Sequence, residues 1–422
     1  MSEMIKIPEG WETTEISKIS KQIKSGGTPK SDNKSFYNGD IKFTTIEDIT
    51  ASNKYLYTTK KTITELGFNN SNTWLVGKNN LLYSIYATLG VPIITKTEVT
   101  TNQAILGIEL NNNVDLEFIY YRLVYDKEQI LSNATQTTQS NLNATIVKNT
   151  LLTLPKLKQE QQKIAEVLSE VDNAISKTEE LFEKNKRLKT ALMQDLLTYG
   201  IDENGKVRNP QTHKFKSSEL GNIPEEWDSN ILKKVCKVRQ GLQIAIKQRF
   251  KESGENRYVY ITVQYLNNQE ANEEFIQSPD EDLICHPDDI LFTRTGNTGQ
   301  IITGVHGVFH NNFFRVDIDK DILDKDFMVY FLNYEVTQQK IKDLAATTTI
   351  PDLKHSDFYS LGIKYPKSKT EQQKIAQILS SQDEKIENIK NKLNKLKLLK
   401  ASLMQDLLSG KVRVTKLMEE NS

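Results

Sequence analysis

Hydrophobic positions along this 422-residue chain fall into two alternating textures. One is a series of short runs rich in β-branched and aromatic residues, such as IKFTTIEDIT from Ile41 and YVYITVQYLN from Tyr258, bounded by Gly, Asn, Asp and Ser. These runs predict short strands joined by turns. The other texture is helical. Ile164, Leu168, Val171, Ile175, Phe182, Leu192 and Leu196 follow a heptad seam, and Ile375, Leu379, Ile386, Ile389, Leu393, Leu396, Leu403 and Leu407 follow a second one. Thr178, Asn185, Lys189, Gln382 and Lys400 interrupt the seams; polar residues there cost stability but fix register. Pro155 and Pro366 bar helix continuation upstream, and Gly200 and Gly410 stand just past the last apolar residues. Thr370 with Gln373 reads as a capping box in the second helix, whereas the first has no Ser or Thr cap. A helix of about forty residues is ~60 Å long and cannot fold back into a compact module. The two are therefore expected to pair with each other as an antiparallel coiled coil about a two-fold axis, a spacer between two heads.

The helices are copies of one another. PKLKQEQQKIAEVL from Pro155 and PKSKTEQQKIAQIL from Pro366 stay aligned without a gap as far as LMQDLL at Leu192 and at Leu403. The duplication extends upstream, since IPEGW at Ile7 returns as IPEEW at Ile223. NLLYSIYATLGVPII from Asn80 aligns with DILFTRTGNTGQII from Asp289, NQAILGIEL with NNFFRVDID, and DLEFIYYRLVY with DKDFMVYFLNY. In the last pair, apolar residues at three and four predict short helices over Leu116 to Tyr125 and Lys325 to Tyr334. The expected fold is α+β, with two similar β-rich heads at 1–155 and 223–366 and long helices at 156–200 and 367–410. A polar linker without periodicity fills 201–222, and a partly mobile tail 411–422.

Lysines plus arginines number 55, as do aspartates plus glutamates, so net charge argues against a non-specific DNA coat and leaves room for a local basic surface. Cys236 and Cys285 cannot build a disulfide framework, and neither sits at metal-ligand spacing from a histidine pair. His306 and His310 are separated by Gly307 in a β-rich context, which gives no metal site. No apolar run is long enough to cross a bilayer, and MSEMIKIPEG lacks the features of a secretory signal, so a cytoplasmic location without membrane contact is expected.

Basic residues do cluster locally. KKVCKVRQGLQIAIKQRFK, from Lys233, holds seven basic residues and no acid; its counterpart KISKQIKSGGTPKSDNK, from Lys18, holds five lysines and one acid. Basic residues among Ser, Thr, Gly and Tyr suit phosphate contact and close backbone approach, but lysines also protect a solvated edge strand. At matched positions the first head has Tyr83, Ser84, Tyr86 and Thr88, and the second has Phe292, Thr293, Arg294, Asn297 and Thr298, with Gly90 and Gly299 common and suited to positive φ. An arginine there could bridge guanine O6 and N7 and Asn297 an adenine edge; equally, these residues could merely cap strands. The candidate DNA contacts are Lys24, Gly27, Thr28, Lys30, Tyr83, Tyr86 and Thr88 in the first head, and Arg239, Gln243, Lys247, Arg249, Arg294, Asn297 and Thr298 in the second. Lys390, Lys392, Lys395 and Lys397 read as a solvated helix face. Catalytic signatures are lacking: GGTPKS has the wrong spacing for a phosphate loop, NPQT at Asn209 has no glycine-rich cofactor turn upstream, and PDLK at Pro351 lacks the acid-x-lysine strand of a nuclease.

In these residues the sequence resembles the specificity subunit of type I restriction-modification enzymes over essentially its whole length. The resemblance rests on SGGTP at Ser25 followed by YNGDIKFTTIEDI, on ILFTRTGNTG at Ile290, and on both proline, EQQKIA and LMQDLL blocks, in order and in duplicate. It implies a non-catalytic subunit in which each head reads one half of a bipartite double-stranded DNA site. The long helices would set the gap and dock two modification subunits that methylate adenine. S-adenosylmethionine would then sit on those partners, and ATP with Mg on restriction and motor subunits. Ile85 stands where the second head has Arg294, so the first head would use Tyr83, Tyr86 or Lys24 instead. The competing reading is a coiled-coil scaffold that joins proteins without touching DNA.

Overall fold

Both proline-led segments form continuous helices, the central helix Lys158–Thr198 and the distal helix Lys369–Leu408. The distal helix starts earlier than its apparent capping box: the Ser368 Oγ accepts from the Glu371 amide at 3.4 Å, so Ser368 is the cap and Thr370 lies inside the first turn. Gly200 and Gly410 adopt φ of +62° and +72° and end the helices in the left-handed conformation.

The computed structural model describes residues 7–135, 142–268, 272–346 and 351–415. It divides into two compact units, one drawn from Met1–Glu179 with Asn391–Ser422 and the other from Glu180–Lys390. Each unit therefore holds one β-rich head together with part of both long helices. The fold is α+β.

In the first unit a ribbon pairs Trp11–Glu15 with Leu151–Pro155, Trp11 opposite Pro155. A five-stranded sheet runs Ser20–Ser25, Ile105–Leu110, Leu81–Ser84, Pro92–Thr95 and Tyr55–Leu56, and a three-stranded sheet runs Lys61–Ile63, Tyr37–Thr44 and Thr100–Thr101. The second unit repeats the plan. Its ribbon pairs Trp227–Ile231 with Gly362–Pro366, Trp227 opposite Pro366. Its sheets run Cys236–Gln240, Phe313–Ile318, Ile290–Thr293, Ile301–Ile302, and Phe275–Gln277, Arg257–Ile261, Gly307–Phe309, Ile284–Cys285. A parallel pair recurs at the same place, Phe43 beside Thr100 and Tyr260 beside Val308. The stretches IKFTTIEDIT and YVYITVQYLN are strands only in part. Each breaks into a short helix, Ile46–Ala51 and Val263–Asn267, after Thr45 and Thr262 at the N-caps. The short helices form at Leu116–Tyr125 and Lys325–Asn333.

All fifteen seam residues are buried or half-buried. Ile164, Leu168 and Leu407 join the core of the first head, as Leu196, Ile375 and Leu379 join that of the second. In the first unit Lys397 pairs with Glu179, Lys400 with Asp172 and Arg413 with Glu160. Rising numbers on one helix meet falling numbers on the other, so the helices are antiparallel.

The polar interruptions of the seam carry a repeated clamp. The Tyr121 hydroxyl donates to Asp172 at 2.6 Å while Lys400 pairs with the other Asp172 oxygen at 2.6 Å. In the second unit Tyr330 donates to Asp383 at 3.0 Å and Lys189 pairs with it at 2.5 Å. Head, following helix and opposite helix are thus joined at one carboxylate in each unit. Asn185 accepts from Gln382 at 3.2 Å in the second unit alone.

A further duplication, GKVR at Gly205 and at Gly410, has a physical role that periodicity does not reveal. Arg208 forms a bidentate pair with Glu371 at 2.5 and 3.0 Å, and Arg413 forms one with Glu160 at 2.6 and 2.9 Å. Each arginine follows one long helix and holds the glutamate in the first turn of the other. The segment expected to be a polar linker is pinned by a buried Arg208. The expected mobile tail is packed as far as it is described, with Val414 in the core of the first unit; residues 416–422 lie outside the described residues.

Candidate nucleic-acid interface

At one end of each head's larger sheet three loops meet in the same backbone frame. In the first head Gly26 N donates to Ile105 O at 3.3 Å, Gly27 N to Thr101 O at 3.0 Å and Ile85 N to Ala104 O at 2.9 Å. In the second, Gly241 N donates to Phe313 O at 3.2 Å, Leu242 N to Phe309 O at 3.1 Å and Arg294 N to Asn312 O at 2.8 Å. The bond set matches one for one, which makes Gly26 and Gly241, Thr28 and Gln243, and Gln103 and Asn311 equivalent positions. The glycines are steric necessities. A Cβ on Gly26 would lie 1.9 Å from Thr101 O, and one on Gly241 would lie 2.2 Å from Phe309 O.

The hairpin loops after Ser84 and Thr293 are also superimposable in their bonding. Gly90 N and Gly299 N each donate to the carbonyl of that Ser or Thr at 2.9 Å, and the Ser84 and Thr293 hydroxyls turn back onto Thr88 O and Asn297 O. Gly90 and Gly299 hold φ of +70° and +99°, as their placement requires, and Ala87 occupies the left-handed site that Gly296 fills in the second head.

The sequence candidates divide sharply on this frame. Thr28, Lys30, Tyr86 and Thr88 in the first head, and Gln243, Lys247, Asn297 and Thr298 in the second, lie on the loops; Lys24 lies on the adjoining edge strand. Tyr86 is 43 % exposed. Lys24, Lys30 and Lys247 are exposed and make no ion pair among the described residues.

Five candidates take other roles. Tyr83 is fully buried, occupies the core position of Phe292, and its hydroxyl has no partner among the described residues. Burial raises its pKa well above the ordinary tyrosine value. Gly27 meets the protein's own backbone at Asn72 rather than leaving space for a phosphate. Arg239 is neutralised by Asp282 at 2.5 Å and Asp317 at 3.0 Å. Arg249 reaches back to Ile244 O at 2.6 Å, pairs with Glu274 at 2.9 Å and stacks over Tyr260, fixing its own loop. Arg294 pairs with Asp352 at 2.7 Å over the Phe314 ring, so PDLK is a structural brace and Arg294 is not free to grip guanine. Its counterpart Ile85 is simply core.

Alignment of NQAILGIEL with NNFFRVDID sets Gln103 opposite Asn312, one residue away from the register of the frame, and singles out none of Gln103, Asn311 and Asn312, which sit on the third loop of each frame. The available signal was the polar run just before each β-branched or aromatic pair. The Thr28 hydroxyl donates to Gln103 Oε1 at 2.6 Å, and the Asn311 amide donates to Gln243 Oε1 at 3.5 Å.

Two β-rich heads with matched loop frames, followed by antiparallel helices of one repeat, define an internally duplicated protein. The chain belongs to the family described as type I restriction modification DNA specificity domain, whose model matches residues 8–188 and again 224–398. It is 25 % identical over 438 residues to the type I restriction enzyme MjaVIII specificity subunit of Methanocaldococcus jannaschii, covering 98 % of this chain and 95 % of that one. A putative MjaX specificity subunit from the same organism is 26 % identical over 435 residues, covering 98 % and 96 %. In fold it is similar to the crystal structure of a type I restriction-modification S subunit from M. genitalium, with TM-score 0.59, 18 % identity and coverage of 96 % of this chain and 99 % of that one. The chain's role is thus in DNA sequence specificity within a type I restriction-modification system.

Proposed function

We propose that this chain reads a bipartite, asymmetric site on double-stranded DNA, one head to each half-site, and carries no catalytic chemistry of its own. The observation that supports this best is the loop frame. One backbone hydrogen-bond pattern is built twice, and the exposed side chains it carries differ between the copies: Thr28, Tyr86 and Gln103 against Gln243 and Asn297. A constant scaffold with exchanged exposed residues suits two readers of unlike half-sites. Lys24, Lys30 and Lys247 supply the phosphate contacts that orient a duplex.

The long helices set the gap and offer the docking surface for two modification subunits. Those partners hold S-adenosylmethionine and methylate adenine, and restriction and motor subunits with ATP and Mg complete the system. The test is co-expression with the modification subunit followed by methylome sequencing. Exchange of one head's loops is expected to change one half of a split adenine motif and leave the other half intact. Methylation of an undivided site would count against the reading.

A further inference from the structure

We infer that each head presents one pre-oriented glutamine amide, Gln103 in the first and Gln243 in the second, that reads an adenine in its half-site. The inference rests on the reading of the loop frame as the DNA interface and adds to it the residue and the base.

Three observations converge. First, the guanidinium groups are committed elsewhere: Arg239, Arg249 and Arg294 are all held by carboxylates of their own head. The pairing of arginine with guanine is therefore unavailable at these positions, and amide and hydroxyl chemistry remains on the exposed rim beside the lysines unpaired among the described residues.

Second, the two glutamines occupy one cross-loop pair of the shared frame, with their places exchanged. In the first head the glutamine is on the third loop and Thr28 on the first loop donates to its Oε1 at 2.6 Å. In the second head the glutamine is on the first loop and Asn311 on the third loop donates to its Oε1 at 3.5 Å. Drift that kept a merely structural bond would keep the donor and acceptor where they were. Here the loop changes and the product stays the same: an exposed glutamine whose oxygen is held from the side.

Third, the orientation suits one base. A neighbour donating to Oε1 fixes which end of the amide is oxygen and leaves that oxygen a second lone pair, with both Nε2 hydrogens free. Adenine offers N6–H and N7 side by side in the major groove, a donor and an acceptor that match this face in bidentate fashion. Asn297 is differently placed, since its Nδ2 already donates to Gln300 at 3.2 Å. Glycine makes the arrangement possible, because only Gly26 and Gly241 let the first loop approach the third closely enough for the side chains to meet.

The test uses the full chain co-expressed with its modification subunit and duplexes carrying the motif that methylome sequencing of the wild-type complex yields. Replacing adenines one at a time by 7-deazaadenine removes N7 alone. At one adenine of each half-site this is expected to weaken binding about 3- to 10-fold, about half the free energy of a bidentate contact. Gln103→Ala should abolish sensitivity at the first-half position only and leave that letter degenerate in the methylome, and Gln243→Ala should do the same in the second half. Thr28→Val, which leaves Gln103 in place but frees its amide to turn, should give an intermediate loss at the same letter. If no single adenine is sensitive, or if Gln103→Ala keeps every letter while exchange of the head still rewrites its half-site, the glutamine assignment is wrong and half-site reading stands. If exchange of a head changes neither half, the underlying reading fails as well.

Discussion

The two arginine–glutamate clasps are sequence equivalents in unlike surroundings, so one substitution made in both places measures the surroundings. Glu371 is 10 % exposed and Arg208 7 %. Besides the two bonds from Arg208, this carboxylate accepts from the buried Trp227 indole at 3.0 Å and from the Ile201 amide at 3.1 Å. Glu160 is 1 % exposed but its partner Arg413 is 31 % exposed, and among the described residues its donors are the two guanidinium nitrogens alone. The equivalent indole nitrogen, on Trp11, has no partner among the described residues. Glu371→Gln can keep an oxygen facing Arg208 Nη1, Trp227 and Ile201 but then sets an NH2 against Arg208 Nη2, and it leaves the buried Arg208 with Tyr199 O at 3.3 Å and the mostly exposed Glu226 at 3.5 Å. Breaking a buried pair in this way costs about 3 to 5 kcal/mol. Glu160→Gln frees a guanidinium that water can reach, and about 1 to 2 kcal/mol is expected. Hydrogen exchange on the whole chain reads the two separately. Amides of Trp227–Ile231 and Phe313–Ile318 should exchange roughly a hundredfold faster or more in Glu371→Gln, and those of Trp11–Glu15 and Ile105–Leu110 roughly tenfold faster in Glu160→Gln. Equal losses, or a larger one for Glu160→Gln, would refute the argument that the number of donors and their exposure decide the cost.

In the first unit's clamp, a double-mutant cycle of Asp172→Asn and Lys400→Met should give a coupling of about 1 to 2 kcal/mol by urea unfolding, above the value for exposed pairs; a coupling near zero would show that the clamp does not fix register. All five histidines lie in the second unit, and burial together with Arg249 and Arg294 holds the pKa of His310 and His355 below the ordinary value. The unfolded chain thus takes up protons first, so their contribution is present above about pH 6.5 and lost as pH falls below it. Protection in the second unit should fall from pH 7 to 5 while the first unit holds, and His310→Gln with His355→Gln should flatten the difference. Gly26→Ala and Gly241→Ala should each destabilise their own head by about 2 kcal/mol or more in exchange measurements, because the Cβ meets a carbonyl oxygen; an unchanged head would show that the loop can give way. Deleting one heptad from each long helix, between Asp172 and Lys189 and between Asp383 and Lys400, shortens each by about 10 Å. The gap between half-sites should change by about three base pairs with the letters retained, as the methylome will report.

How far the sequence discloses this molecule depends on whether the signal lies in one chain position or in the meeting of two. Periodicity placed Leu116–Tyr125 correctly to the residue, since a helix face is a local pattern. Duplication located the Trp11 and Trp227 strands, since IPEGW at Ile7 returns as IPEEW at Ile223. Local pattern failed where a neighbour distant in sequence decides the role. Arg294 looks like a reading residue until Asp352 is seen beside it, and nothing near Arg249 announces Glu274. Tyr83 offers a hydroxyl in sequence but occupies a core place in space, because strand alternation at Leu81–Ser84 is lost when both faces of the strand are covered. The segment 201–222 reads as a polar linker from its composition, which does not reveal that one buried arginine with a distant glutamate pins it.

The misplaced and the missed residues share a cause, and it bears on how such a protein changes target. Groups with strong chemistry are used inside the heads to hold the loops, Arg239, Arg249 and Arg294 in the second and the Tyr37 and Tyr260 hydroxyls, which donate to Pro29 O and Leu242 O, in both, whereas weaker amide and hydroxyl side chains such as Gln103, Thr28, Gln243 and Asn297 are left on the rim. The loop backbone is then fixed by bonds that do not involve the rim: carbonyl-to-amide contacts, Gly26 and Gly241 at their close approaches, and Ser84 or Thr293 closing the hairpin. A rim side chain can be replaced without loosening the frame, because none of those bonds is lost with it. The identical frame under different rims in the two heads is what that separation predicts, and it explains why the duplication is faint in the loops yet plain at both ends of the helices, in EQQKIA and LMQDLL, where buried positions contact partners that must change with them.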